Sequence, residues 1–466
     1  MLFTSIDFWL LFAVTFAASI AAKRPRALKA ITLVASLVFY AAGDQSGILV
    51  LIGIASLAFF GGMYASPERS NAIRKISVWL SIGGGLLTLA YFKYLRFLLE
   101  DVFPFLLSPQ QTEGLLREIS LPLGISFFTF QSLSYTFDVY RGRAKVCRNY
   151  SDFLLYVTFF PQIIAGPIER FNHLFPQIQN LKLCSIQQMK TPLLLIAMAF
   201  FKKIFVANSI GPTALLIFQS SETRPLEMVL AGWTMAMQVY FDFSAYSDFA
   251  LGLAALFGVQ LTANFRPIWF ATNPLAFWER WNVTTGKWFR DYLLVPMGGN
   301  GDNRIQAARN IIIMFMAIGL WHGASWNWIV WGLFQGLIVA FYRDLKKYSN
   351  AVSKTPAWVG LLFLQVFMLP ISGLLHFADS QSIMKRMLEA LSGNRFSWLD
   401  FSGLTVFVPH LAAFILPGIL FDVFQEKTKN HELPWHQLVF LISLLLGFSA
   451  FLSKGISNQA FIYFGF

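Results

Sequence analysis

Cysteine is almost missing from this sequence of 466 residues; Cys147 and Cys184 are the only two. A disulfide framework or a zinc site needs several more ligands at set spacing, so neither is supported. Charge is also scarce. Asp, Glu, Lys and Arg make up 13% of the chain, where a soluble domain carries about 25%. The formal net charge is +12. The bases are scattered in short segments between apolar runs, which argues against a nucleic-acid partner and fits cytoplasmic loops of a membrane protein. No glycine-rich phosphate loop, metal-ligand cluster or nucleophilic triad stands out. No charged linker, low-complexity tract or clear repeat divides the chain. It reads as a single integral membrane domain over residues 1–466.

Apolar residues fill the space that charge leaves. The chain is 56% hydrophobic and 17% aromatic, with mean hydropathy +0.57. Apolar segments recur from end to end, and a bilayer takes about 20 such residues per crossing, so we expect about 11–13 membrane helices. The expected fold is all-α and polytopic. Asp7 precedes the first apolar run, Phe8 to Ala22, and Lys23, Arg24 and Arg26 follow it. That polarity is the reverse of a signal peptide. It predicts a retained first helix with its N-terminus outside and the loop through Lys29 in the cytoplasm. Two stretches look too interrupted for simple spans: FFPQIIAGPIER, with Pro161 and Pro167, and ANFRPIWFATNPLAFWERWN, with Pro267 and Pro274. Irregular backbone survives at membrane depth only where protein or a water-filled cavity satisfies it. Both stretches are therefore expected to be broken or re-entrant segments around a central cavity.

The longest uncharged stretch runs from Asn310 to Tyr342 and contains His322. A titratable imidazole at that depth is costly unless something uses or satisfies it. A neutral, space-filling His bonded to a backbone carbonyl is the plain alternative. Before it lies NPLAFWERWNVTTGKWFRDYLLVPMGGN, bounded by Asn273-Pro274 and by Pro296 with Gly298-Gly299. Read as one helix at 100° per residue, it gathers Phe277, Trp278, Trp281, Asn282, Trp288, Phe289 and Tyr292 within an arc of about 140°. Glu279, Arg280, Lys287, Arg290 and Asp291 fall on the other side. An interfacial helix with an aromatic belt would look much the same, Asn282 apart.

Together, FWERWNVTTGKWFRDYLLVPMGGN and GLWHGASWNWIVWG resemble the membrane-bound O-acyltransferase family. The similar branch is the bacterial one, with alginate O-acetylation proteins and the D-alanyl transfer protein of teichoic acids. LPLGISFFTFQSLSYTFDVYRG and FFPQIIAGPIER resemble it too. The resemblance implies a central tunnel with a catalytic His in an apolar helix, a position matched by His322. It implies a second polar residue after the Arg-Trp pair. Many bacterial relatives have His there and eukaryotic sterol and diacylglycerol acyltransferases have Asn; this chain has Asn282, 40 residues before His322. An amide makes a proton-transfer role at that position unexpected and suits hydrogen bonding.

The implied chemistry moves an acyl group, most simply acetyl, from a cytosolic thioester to a hydroxyl of an extracytoplasmic polysaccharide such as alginate. His322 would be the general base, and Asn282 would orient substrate or donate to a developing oxyanion. Arg280, Lys287 and Arg290 are candidates for attracting the phosphates of an anionic donor, or are ordinary interfacial charge. Trp281, Trp288, Asp291, Trp321 and Trp326 complete the substrate-binding candidates. No metal and no permanently bound cofactor is expected. The donor would be acetyl-CoA or another acyl thioester. The expected partners are a periplasmic or other extracytoplasmic acyltransferase protein, the polysaccharide acceptor and membrane lipids. The expected location is the cytoplasmic (inner) membrane. His173, His376, His410, His431 and His436 fall near predicted loops or helix ends and are set aside. A transporter or flippase for a polymer precursor is the rival class. Asp242 and Asp248 would then form a cation pathway; otherwise they pair with nearby bases.

Overall fold

A computed structural model describes residues 2–117, 119–220, 223–299, 301, 303–348, 355–377, 381–392, 400, 402, 404–428 and 434–453. His431 lies outside them. The described residues are helical, with no β-strand among them. Seven helices are long and apolar enough to cross a membrane, and Ile6–Ala21 and Trp435–Gly447 are shorter apolar helices. The chain is a polytopic all-α membrane protein. It divides into two compact units, Met1–Leu195 with Phe249–Thr262, and Ile196–Asp248 with Ala263–Phe466.

The first unit begins with helices whose ends follow local chemistry. The Ser5 hydroxyl accepts from the Phe8 amide to cap Ile6–Ala21, and Pro25 opens Pro25–Gly43 at a position where its missing N–H costs nothing. Phe3, Phe8, Phe39 and Phe160 pack ring against ring nearby. Helix approach is set by small residues, as is usual where lipid supplies no hydrophobic drive. A Cβ on Gly62 would lie 2.2 Å from the Tyr135 ring, so Gly47–Tyr64 meets Ile125–Tyr140 only because position 62 has no side chain. Lys29, expected in a basic cytoplasmic loop, lies in the Pro25–Gly43 helix and pairs with Asp152 at 2.7 Å.

The stretch 159–170 is irregular, as its two prolines predict, and buried through Glu169. The Phe160 N–H donates to Ser36 Oγ at 3.1 Å, and Gln162 Nε2 donates to Gln131 Oε1 at 3.0 Å. Side chains of other helices thus bond into this irregular segment. Glu169 closes the segment. Its buried carboxylate accepts from the Thr262 amide, from Thr262 Oγ1 at 3.1 Å, and from His173 Nδ1 at 2.7 Å.

The second unit holds His322. Arg304–His322 and Trp326–Tyr348 form a tight helical hairpin. Its seam is glycine: a Cβ on Gly319 would lie 2.1 Å from the Trp328 carbonyl oxygen, and one on Gly332 would lie 2.4 Å from the Phe315 carbonyl oxygen. At this separation the turn places His322, the last residue of its helix, against the first turns of its partner.

Candidate active site

His322 is 9% exposed, and three indoles surround its ring. Trp328 stacks on it with centroids 5.2 Å apart at 24°, Trp331 meets it edge-on at 5.3 Å, and Trp321 at 5.0 Å. These rings fix the imidazole's orientation by shape. They also exclude water, which strengthens any polar interaction the imidazole makes. On its open side His322 lines a cavity.

Besides His322, the cavity wall comes from four places in the second unit. Phe277, Trp278 and Trp281 come from the interrupted aromatic stretch, and Trp328, Trp331 and Gln335 from the helix after His322. The Pro225–Leu256 helix adds Val239, Asp242 and Phe243 among others, and Leu369–Phe377 adds Ser372, Gly373 and His376. The last two helices cross closely, since a Cβ on Gly373 would lie 1.8 Å from the Gly232 carbonyl oxygen. Most of the wall is apolar. The Trp278 indole N–H and Gln335 Oε1 are buried with no hydrogen-bond partner among the described residues. Such groups are costly unless a ligand meets them.

The aromatic stretch is not the single amphipathic helix expected. It is two short helices, Pro274–Trp278 and Val283–Phe289, followed by a wider π-helical turn, Arg290–Leu294. The break is at Asn282, with φ 43° and ψ 51°, the single non-glycine residue at positive φ among the described residues. Asn tolerates this left-handed region better than most residues. The physical cause is a remote cap. Asn264 Oδ1 accepts from the Thr284 amide at 3.0 Å and from its hydroxyl at 2.9 Å, while the Val283 amide donates to the Asn264 carbonyl at 2.9 Å. Asn282 occupies the N-cap position without capping. Its side chain is 4% exposed, and Oδ1 has no partner among the described residues. The helical wheel drawn through Tyr292 therefore does not hold, and the aromatic residues on it separate.

Of the candidates named from sequence, His322 and Trp281 line the cavity, and Trp321 packs on the His322 ring. Asn282 is not among the lining residues; Trp281, its neighbour, is. Trp281 is held between Tyr240 at 5.9 Å and Phe277 at 5.5 Å, both nearly parallel to it. Trp288 is buried against Phe289 and Tyr292, away from the cavity lining. Arg280 donates to the Pro267 carbonyl at 3.3 Å and lies over the Phe270 ring, bracing the loop. Lys287 and Arg290 are exposed, and Arg290 pairs with Asp291 at 2.9 Å. Trp326 is 54% exposed and is not among the residues lining this cavity.

His376, set aside from sequence, belongs to the cavity. Its ring meets the Trp328 indole edge-on at 4.5 Å, within the same wall as His322. The overlooked signal is its spacing from Ser372, four residues earlier on one helix face. Asp242 and Asp248 pair with bases, the second of their two sequence readings. Lys203 donates to Asp242 at 2.5 Å, and Lys202 binds Asp248 at 2.9 Å and Asp422 at 2.7 Å. Tyr240 and Trp269 also donate to Asp422. The two lysines are adjacent, but a wide π-helical turn, Phe201–Ala207, carries them.

Comparison with known proteins agrees with this architecture. Residues 74–371 match the MBOAT, membrane-bound O-acyltransferase, family pattern. A probable alginate O-acetylase AlgI of Azotobacter vinelandii is 33% identical over 396 residues, covering 84% of this chain and 78% of that protein. A peptidoglycan O-acetyltransferase of Helicobacter pylori is 30% identical, covering 72% of this chain and 69% of that protein. A teichoic acid D-alanyltransferase of Bacillus subtilis is 26% identical, covering 58% and 71%. An O-acyltransferase fits a buried imidazole at the wall of an aromatic, water-poor cavity, and on pattern and similarity alike this multi-pass membrane protein belongs to the membrane-bound O-acyltransferase family.

Proposed function

We propose that this protein transfers an acetyl group from a cytosolic thioester to a hydroxyl of an extracytoplasmic polysaccharide, with His322 as general base. The observation that carries this reading is His322 itself, buried among three indoles yet open to a cavity. A hydroxyl is a weak nucleophile at neutral pH, and a nearby imidazole is suited to take its proton. The hydroxyl oxygen attacks the acyl carbon, a C–O bond forms and the C–S bond breaks. The proton taken by His322 passes to the departing sulfur, so the imidazole ends neutral. The free acceptor atom on buried Asn282 supports an orienting role for that amide. Exposed Lys287 and Arg290 suit attraction of an anionic donor such as acetyl-CoA.

The relatives named above act on alginate, peptidoglycan and teichoic acid, polymers outside the cytoplasm. That supports an inner-membrane location, an acceptor of the same kind and an extracytoplasmic partner that completes the transfer. The test is mass spectrometry of envelope polymers from cells with the gene, without it and with His322→Ala. Ester groups should vanish with the gene and fall by about 10²–10⁴ in formation rate with His322→Ala. Wild-type ester levels from a well-inserted His322→Ala protein would remove His322 from the mechanism.

A further inference from the structure

Resting on that acetyl-transfer reading, we propose that Gln335, held by Ser372, recognises the thioester donor by accepting a hydrogen bond from the amide N–H in its sulfur-bearing arm. Gln335 is 1% exposed and lines the cavity. Its Nε2 donates to Ser372 Oγ at 2.5 Å, and Ser372 Oγ donates to the Met368 carbonyl at 2.7 Å. The serine proton is thus committed to the backbone, so Ser372 can only accept from Gln335. That fixes the amide with its NH₂ toward Ser372. Gln335 Oε1 is left buried, with no partner among the described residues. A ligand that donates would satisfy it.

Position narrows the ligand further. Trp328, Trp331 and Gln335 lie at i, i+3 and i+7 on one face of their helix, and all three line the cavity. His322 packs against the first two. Gln335 is four residues beyond Trp331, a rise of about 6 Å along the helix axis. In a thioester built on an aminoethanethiol arm, the sulfur and two methylenes separate the acyl carbon from the first amide nitrogen. Extended, that span is close to one helical pitch, about 5.4 Å. An acyl carbon beside His322 therefore brings the arm's N–H to the level of Gln335. A sugar fits worse. Apart from His322, His376, Ser372 and Asp242, which Lys203 holds, the wall around Gln335 is largely aromatic and aliphatic. A sugar ring would bury several hydroxyls there unpaired.

The experiment compares two small donors in membrane vesicles from the producing cells, which retain partner and acceptor. One is S-acetyl-N-acetylcysteamine. The other is its isostere with the amide N–H replaced by an ester oxygen. Thiol release that depends on His322 is the readout. The wild type should favour the amide donor by about 10–100-fold in kcat/KM, the usual effect of leaving one buried acceptor unmet. Gln335→Leu should bring the two donors within about threefold of each other, and Ser372→Ala should narrow the gap by freeing the amide to rotate. A structural role alone would slow both donors equally and keep their ratio. Equal use of both donors by the wild type would overturn the proposal while leaving acetyl transfer intact, and needs no variant to fold. A ratio preserved in Gln335→Leu would also overturn it. No His322-dependent release from either donor would overturn this proposal and the acetyl-transfer reading together.

Discussion

At the scale of single residues, Asn282 separates two effects that one substitution would merge. Its backbone is left-handed, and its side chain carries a buried free acceptor. Asn282→Gly keeps the left-handed backbone without strain and removes the whole side chain, amide included. Asn282→Ala removes the amide but keeps a Cβ at positive φ without asparagine's tolerance of that region, for about 1 kcal/mol of instability. If the amide orients substrate, both variants should lose activity to a similar degree, about 10²–10³-fold, and only the alanine variant should melt earlier. Ester formation and thermal unfolding, measured on both, give the answer; a fully active glycine variant removes Asn282 from the reaction. His322 was legible in the sequence because charge is so rare around it that one imidazole stands out. Asn282's conformation was not, because the cap that sets it comes from Asn264, in a loop whose path no local pattern reveals. For His376 the spacing from Ser372 marks a shared helix face, but only tertiary packing shows that this face meets Trp328.

At the scale of elements, glycines with different surroundings should respond in opposite directions. Gly332 abuts the Phe315 carbonyl, so Gly332→Ala should destabilise the His322 hairpin by about 1–3 kcal/mol, lowering the melting temperature and activity together. Gly53 has nothing within 4 Å of its Cβ direction, so Gly53→Ala should stabilise its helix by about 0.5–1 kcal/mol. Equal shifts in both would mean that the seam does not control packing. Apolar segments at 304–320 and 325–342 mark both helices of the hairpin in the sequence, and the second helix runs on to Tyr348. The apolar pattern could not predict the break in the aromatic stretch, because periodicity carries no record of a left-handed residue.

The Glu169 clasp adds a pH-dependent element. His173 lies on Phe171–Gln179, outside the membrane-crossing helices. The hydrogen bond it donates to the Glu169 carboxylate holds its imidazole above the ordinary value of 6.5, against the opposing effect of partial burial. A raised histidine value means the protonated form is favoured in the fold. Its contribution is complete below the unfolded value and is lost as pH rises through the folded one. The Thr262 amide, which donates to the same carboxylate, should therefore be better protected from hydrogen exchange near about pH 6 than near about pH 9 once intrinsic rates are divided out. His173→Gln should flatten that dependence. A dependence that survives the substitution would assign it to another group.

At the scale of the whole molecule, orientation follows from where the bases sit. Lys23, Arg24 and Arg26 follow the first apolar helix, and Asp7 precedes its core. The positive-inside rule predicts residues 23–26 in the cytoplasm and the N-terminus outside. A Lys23→Cys protein, with Cys147 and Cys184 replaced by Ser, should react with a membrane-impermeant thiol reagent only in inside-out vesicles. Labelling in intact cells would reverse the topology. The polytopic class was legible at this scale because it depends on composition summed over hundreds of residues. The Lys202 and Lys203 pairings were not, since each acid lies far along the chain from its base.

Those pairings rest on the turn at Phe201–Ala207. A π-helical turn takes in one residue more than the α-helical turn it replaces. In the language of the gene, the geometry that sends two adjacent lysines to separate acids depends on the length of the reading frame there, by a single codon. Removing that codon would restore the ordinary repeat and rotate everything downstream in the helix by about 100°. Substitutions change which side chains this segment carries, but only an insertion or deletion changes where they point.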